Sequence, residues 1–317
     1  MYQKIIRMAL SILIFIPLSG CQPPPEPLRI VSSPWPGYEP LYLARDLGYL
    51  DSAVRLSEVP SANINMEAFS NGSADIATLT LDETLTLLDE GKKVRILLVM
   101  DTSNGADAVM ARPEIKTLAD LKGKRIAMEN IPLGVYMLHR TLDAAGLKPS
   151  DVTVFPMPED KHEKAYRSGE VDAVITFEPF KSHIAKAGAH VLFDSSKIPN
   201  EIFDLLVVRD DVYKARRDEL CDVVQQWFRT LEYVEVNPQD AIGRMAKRLH
   251  MEPEAYRAMM GGLTVPSRKD NQHLLGGNNP PMAVSANRLI DIMLKEHLIT
   301  HRVDFSETID PTFQTCF

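Results

Sequence analysis

The chain has 317 residues, with 35 Lys and Arg against 43 Asp and Glu, for a formal net charge of −8. That acidity excludes a nucleic-acid binder, which needs clustered basic side chains. A hydrophobic content of 45% is ordinary for a globular protein, and the length accommodates one large or two moderate domains.

Residues 1–20 do not belong to the fold. Lys4 and Arg7 precede the apolar run Met8–Leu18, which is too short to span a bilayer. Ser19 and Gly20 then lead into Cys21. A basic start, a short apolar run and small residues make a secretory signal. The Cys after the small pair resembles a bacterial lipobox, which implies cleavage before Cys21 and lipid on its thiol; an ordinary signal with a chance Cys is the alternative. Residues 21–27 are a Pro-rich tether, extended and semi-rigid. Gln22, where an Asp would retain a lipoprotein at the inner membrane, implies the outer membrane in a cell that has two. Loss of Lys4 and Arg7, with no acid, takes the net charge from −8 to −10.

The fold begins with Leu28–Val31, an apolar strand, followed by the loop Ser32–Tyr38 and a helical pattern closing at Gly48. Ligands of open α/β sheets sit at the carboxyl ends of strands, beside helix N-termini. Trp35 and Tyr38 stand at such a place; the alternative is that both rings pack on the first helix. Ser61–Phe69 reads as a helix, Asp75–Leu79 as a strand, and Thr80 with Glu83 as a capping box opening the next helix. Val94–Val99 is apolar but for Arg95, as in a strand buried on both faces.

After the turn cluster Asp101–Asp107 the same logic restarts. Ile126–Met128, Val152–Phe155, Val171–Thr176 and Val191–Phe193 read as strands, and Asn130 is placed to cap the helix that opens at Pro132. Phe203–Val208 returns as a strand, and the chain then turns helical over 220–236, 238–249, 252–260 and 282–297, with 263–279 as a Gly/Asn-rich loop. Strands alternating with helices imply parallel βαβ units. Cys221 and Cys316 either form a disulfide, which an oxidising compartment permits, or remain a buried and a loose thiol.

Several stretches in order resemble the solute-binding subunits of bacterial ABC importers, of the nitrate/sulfonate/taurine type. They are Trp35-Pro36-Gly37-Tyr38, Leu43-Ala44, Leu47-Gly48-Tyr49, Asn71–Ala77, Asp101–Asp107, Leu121–Lys124, Gly169–Ala173 and Phe177-Glu178-Pro179. The resemblance implies an α/β, type II periplasmic-binding-protein fold: two α/β lobes, a ligand cleft between them and C-terminal helices packed mainly on the first lobe. Lobe 1 is expected at 28–110 plus 203–317 and lobe 2 at 111–202, with crossings near 108–112 and 200–204. Many relatives carry Trp before the Glu-Pro; Phe177 keeps a ring and lacks an indole donor.

Five loops are expected at the cleft. They hold Trp35 and Tyr38; Thr80 and Asp82; Ser103 and Asp107; Asn130; and Phe177 and Glu178. Each has a structural alternative: Thr80 and Asp82 as caps, Asp107 as a hinge brace, Asn130 as a cap, and Glu178 as a bond to the first lobe. Asp82, Asp107, Glu129 and Glu178 are acidic, and no Lys or Arg lies inside the loops. An acidic, aromatic cleft suits a cationic or amine-bearing solute better than a simple anion. No nucleophile elbow, phosphate loop, dinucleotide fingerprint or C-x-x-C is present, so no catalytic role, cofactor or metal is expected. A monomeric lipoprotein delivering solute to an ABC permease is the expected role. A sensor presenting its closed form to a membrane signalling protein is the alternative, and a secreted enzyme the minor one.

Overall fold

The computed structural model describes residues 26–317, so the signal, Cys21 and most of the tether lie outside the described residues. The chain lays down β1 (Leu28–Ser32), α1 (Glu39–Asp46), β2 (Val54–Glu58), α2 (Ala62–Ser70), β3 (Ile76–Thr80), α3 (Leu81–Asp89) and β4 (Val94–Ser103). It then forms β5 (Ala108–Ala111), β6 (Arg125–Met128), α4 (Pro132–Ala145), β7 (Thr153–Pro156), α5 (Glu159–Ser168), β8 (Ala173–Thr176), α6 (Phe180–Lys186) and β9 (His190–Asp194). Last come β10 (Phe203–Arg209), α7 (Asp210–Ala215), α8 (Arg217–Val236), α9 (Pro238–Arg248), α10 (Pro253–Met260), β11 (Leu263–Thr264), α11 (Arg268–Leu275) and α12 (Pro281–Lys295).

Two sheets result. The first runs β11-β4-β10-β3-β1-β2 and the second β7-β6-β8-β5-β9. Strands joined by a helix pair parallel, as β1 does with β2 and β3, and β6 with β7 and β8. The strands that follow a crossing between sheets run the other way: β5 is antiparallel to β8 and β9, and β10 to β3 and β4. Residues 108–111 therefore belong to the second sheet, and the first crossing falls at 104–107 rather than near 108–112. The expected lobe boundary at 110 moves back accordingly.

The two lobes are braced by one repeated device. Asp75 takes the backbone N–H and the guanidinium of Arg29, and Asp172 takes the same groups of Arg125. Each Asp ends a Gly-x-Ala/Val-Asp stretch, so these two motif segments clamp β1 and β6 within their own sheets and do not face a ligand.

Local signals explain several departures from the expected elements. The stretch 263–279 is not all loop: Ser267 and Asp270 form a capping box that starts α11. Asn271 of that helix is buried, accepts the Val99 N–H at 2.7 Å and donates to the Val99 carbonyl at 3.0 Å, covering the β4 backbone. Asn130 does not cap α4; Ile131 holds that position without a side-chain bond, and Pro132 occupies the first turn, where its missing N–H costs nothing. The C-terminal helices do not all sit on one lobe: α8 packs on α1 and β4, whereas α12 packs on α3 and also on α4. Cys221 of α8 and Cys316 form a disulfide, which ties the C-terminus to the first lobe.

Candidate functional site

Both crossings leave the sheets at one place. Ser103 at the end of β4 and Ser195 after β9 share a hydroxyl hydrogen bond of 2.7 Å, and Gly105 N–H donates to Ser195 Oγ at 2.6 Å. Asn104 and Ala106 N–H both donate to the Gly262 carbonyl. The Ser103 hydroxyl, expected at a ligand, is thus committed to holding the two crossings together, and it also accepts the Asp107 N–H at 3.2 Å.

Above this junction lies a cavity of about 60 Å³. Of the nine expected residues, Trp35, Tyr38, Thr80, Asp107 and Phe177 line it, together with Glu83, Asp204, Ile131 and Leu133. Trp35 meets Phe177 edge-on across the two lobes, with ring centroids 6.1 Å apart. The remaining four are elsewhere. Asp82 and Ser103 are buried beside the cavity, and Glu178 is buried just before α6, where it accepts the Ser182 N–H. Asn130 is exposed and does not line this cavity. A larger apolar hollow of about 470 Å³ lies among α8, α9 and α10. It carries none of the nine residues, so the smaller cavity is the better candidate.

Why the aromatic loop stands here follows from its partners. Trp35 donates its indole N–H to Asp101 Oδ2 at 3.1 Å, and Tyr38 donates its hydroxyl to Asp204 Oδ1. Gly37 lets the loop approach: a Cβ there would lie 1.9 Å from Asp101 Oδ2. The core and ligand readings of the two rings converge, since both are at most 8% exposed and both line the cavity.

The site is a pool of buried carboxyls. Thr80 and Glu83 close a capping box, with Thr80 N–H 2.9 Å from Glu83 Oε2. Desolvation pushes Asp82 up to about 6 and Asp107 to about 6. Burial, then the neighbouring Asp82, carries Glu83 to about 8. Asp101 rises to about 7 by burial, and Asp204 is raised by burial and by Asp101 beside it. Glu129, half-buried on the second lobe, rises to about 8 through desolvation and a hydrogen bond with Glu159. Asp82 Oδ2, Asp101 Oδ1 and Asp107 Oδ2 are buried with no hydrogen-bond partner among the described residues. Burying such an oxygen without a partner costs about 1–3 kcal/mol, more when it is charged.

One cation adjoins them. Lys181 of α6 lies just outside the expected loops, and its ammonium is 2.7 Å from the Gly105 carbonyl and 3.7 Å from Glu178. Sequence reasoning missed Lys181, Asp101 and Asp204 as parts of this site. The first follows a Pro-Phe pair with no periodic signal, and the carboxyl pair is created only by the register of β4 on β10.

Residues 21–250 match the model of the NMT1-like family. The chain belongs to that family. A putative binding protein of Brucella abortus is 23% identical over 230 residues, covering 68% of this chain and 71% of its own. The putative aliphatic sulfonates-binding protein of Escherichia coli is 26% identical over 210 residues, 62% of this chain and 64% of that one. The crystal structure of the periplasmic aliphatic sulphonate binding protein SsuA from Escherichia coli superposes with a TM-score of 0.76 at 20% identity, over 92% of this chain and 100% of that chain. The desulfurization enzyme DSZB shares the fold too, with a TM-score of 0.67 at 16% identity over 90% of this chain and 97% of that one. The two-lobed binding-protein fold expected from the sequence is borne out.

Proposed function

We propose that this protein is an extracytoplasmic solute-binding lipoprotein that traps a cationic or amine-bearing small molecule between its lobes and delivers it to an ABC importer. The observation that carries the ligand class is the set of three buried, unpartnered carboxyl oxygens beside the Trp35–Phe177 pair. A protonated amine supplies the missing donors and stacks against aromatic faces at the same time. A sulfonate fits this chain less well. The N-terminus of α4, where an anion would be favoured, is faced by Asp82 through the Leu133 N–H, and Lys181 is held on Gly105. The two-lobed fold supports the trapping role, because hinge closure buries a ligand on all sides.

Titration calorimetry with a panel of amines, aminopyrimidines, taurine and nitrate tests the ligand class. Amine binding with no response to taurine or nitrate is the expected result; tight taurine or nitrate binding without an amine response overturns it. The transport role is tested by uptake of the bound solute in cells with and without the gene, and unchanged uptake in the deletion overturns that role. The anchor is tested by mass spectrometry of the mature N-terminus, expected to begin at a lipidated Cys21. The fold shared with DSZB supports a second reading as an enzyme. Among the described residues both cysteines are joined in the disulfide, so no free thiol is available there for nucleophilic chemistry. Solute recovered unchanged after long incubation with the protein separates the two readings.

A further inference from the structure

Asp101 and Asp204 are register partners on the antiparallel strands β4 and β10, at the point where both crossings leave the first sheet. They are 0% and 3% exposed. Two carboxylates side by side in a dry site cannot both be ionised, because each charge raises the cost of the other. The pair has only neutral donors. Trp35 N–H serves Asp101 and Tyr38 O–H serves Asp204, while Asp101 Oδ1 has none among the described residues.

The charged and titratable groups around the pair come from every neighbouring element. The loop after β1 presents Tyr38, and α10 presents the buried Tyr256. From α3 come Asp82 and Glu83, and from the first crossing Asp107. The second lobe adds Glu129, opposite Glu83, and the α6 turn adds Glu178 and Lys181. Lys181 is the single cation among these groups, and it serves Gly105 and Glu178 rather than the pair.

We propose that the cleft loads its solute by proton exchange: Asp101 and Asp204 share one proton in the solute-free protein, and the bound cation displaces that proton to solvent. The proposal rests on the cationic reading of the solute. The raised titration of both carboxyls, caused first by burial, agrees with it. Asp204 lines the cavity, so a cation entering between the lobes meets the pair through Asp204. The balance is one proton out for one positive charge in, which leaves the buried charge of the site unchanged.

Two measurements test it. Carbon-13 NMR of aspartate-labelled, solute-free protein follows the side-chain carboxyls from pH 4 to pH 9. The expected result is a pair of resonances that titrate together near neutrality and are replaced by a single carboxyl in Asp204→Asn; ionisation of both below pH 5 overturns the proposal. Calorimetry with benzylamine and ethanolamine in phosphate, at one pH below the pair's titration, measures binding, and a pH-stat titration of the same mixtures without amine buffer counts protons. Release of about one proton is expected, with affinity rising about tenfold per pH unit below the pair's titration. In Asp204→Asn and Asp101→Asn, each checked for fold by circular dichroism, the release falls to zero and the pH slope flattens. Amine binding without proton release overturns the exchange alone. No binding of either amine overturns the cationic reading and the exchange with it, whatever the NMR titration shows.

Discussion

Gly37→Ala is the sharpest test of how the aromatic loop is held. A methyl at this position would sit 1.9 Å from Asp101 Oδ2, 2.6 Å from its Cγ and 2.8 Å from Trp35 Nε1. Van der Waals contact needs more than 3.4 Å, so either Asp101 or the loop must move by over an ångström. Asp101 cannot swing out, because it is fully buried at the end of β4 with Trp35 on one side and Asp204 on the other. Overpacking of this kind costs about 1–3 kcal/mol. Loss of the Trp35 hydrogen bond to a carboxyl adds about 1.5–3 kcal/mol. The sum, about 2.5–6 kcal/mol, lowers Tm by at least about 5 °C at roughly 2–4 °C per kcal/mol. Differential scanning calorimetry reads the shift, and solute affinity falls with it because Trp35 and the carboxyl pair lose their mutual orientation. Gly243→Ala is the control: it lies inside α9 with no atom within 4 Å of the added carbon, and it gains about 0.5–1 kcal/mol from helix propensity alone. A Gly37→Ala protein with unchanged Tm and unchanged solute affinity would refute the close packing of the loop on Asp101.

Three further outcomes are expected. Trp35→Ala weakens solute binding by more than about tenfold, equivalent to about 1.4 kcal/mol, the size of a desolvated aromatic contact. The fluorescence of Trp35 in a Trp227→Phe background responds to solute, and an emission spectrum that ignores solute would count against contact. Stability falls as pH rises from about 4 to about 7. Asp82, Asp101 and Asp107 titrate near 6, 7 and 6 when folded, above the usual value of about 4, so between these values the folded state binds more protons than the unfolded one. Asp310 acts in the opposite sense: against its desolvation, the Tyr213 and Thr312 hydrogen bonds hold it at about 2, and its contribution is lost as pH falls through that value. Thermal unfolding should therefore show a higher Tm at pH 5 than at pH 8; a Tm that rises steadily over that range is the contrary result. Reduction of Cys221–Cys316, which closes a loop with a sequence separation of 95, removes about 4–5 kcal/mol from the unfolded-state constraint. Denaturant midpoints with and without reductant measure it, and equal midpoints would exclude the constraint.

Much of the fold is legible in the sequence because its signals are local. The apolar runs of β3, β4 and β10, the Thr80 and Glu83 capping box and the glycines after the helices are written within a few residues of where they act. The edge strand β2 has no such signal, since its half-exposed Val-Arg-Leu-Ser-Glu run carries too few apolar residues to stand out. Asn130 shows the opposite failure. The helix opens at Pro132 as its pattern implies, yet Ile131 holds the cap position and Asn130, one residue earlier, is left in solvent.

The sequence by itself determined the class of the molecule: an acidic α/β chain in two sets, with aromatic residues at strand ends and the motifs of its family in order. Those properties depend on neighbours along the chain. The tertiary structure alone decided which acids meet. Asp101 and Asp204 are 103 positions apart, and only the antiparallel return of β10 onto β4 sets them side by side. Ser103 was equally plausible at a ligand until the second crossing placed Ser195 against it. A buried charge takes its meaning from what surrounds it within a few ångströms, and here nearly all of those surroundings come from distant parts of the chain.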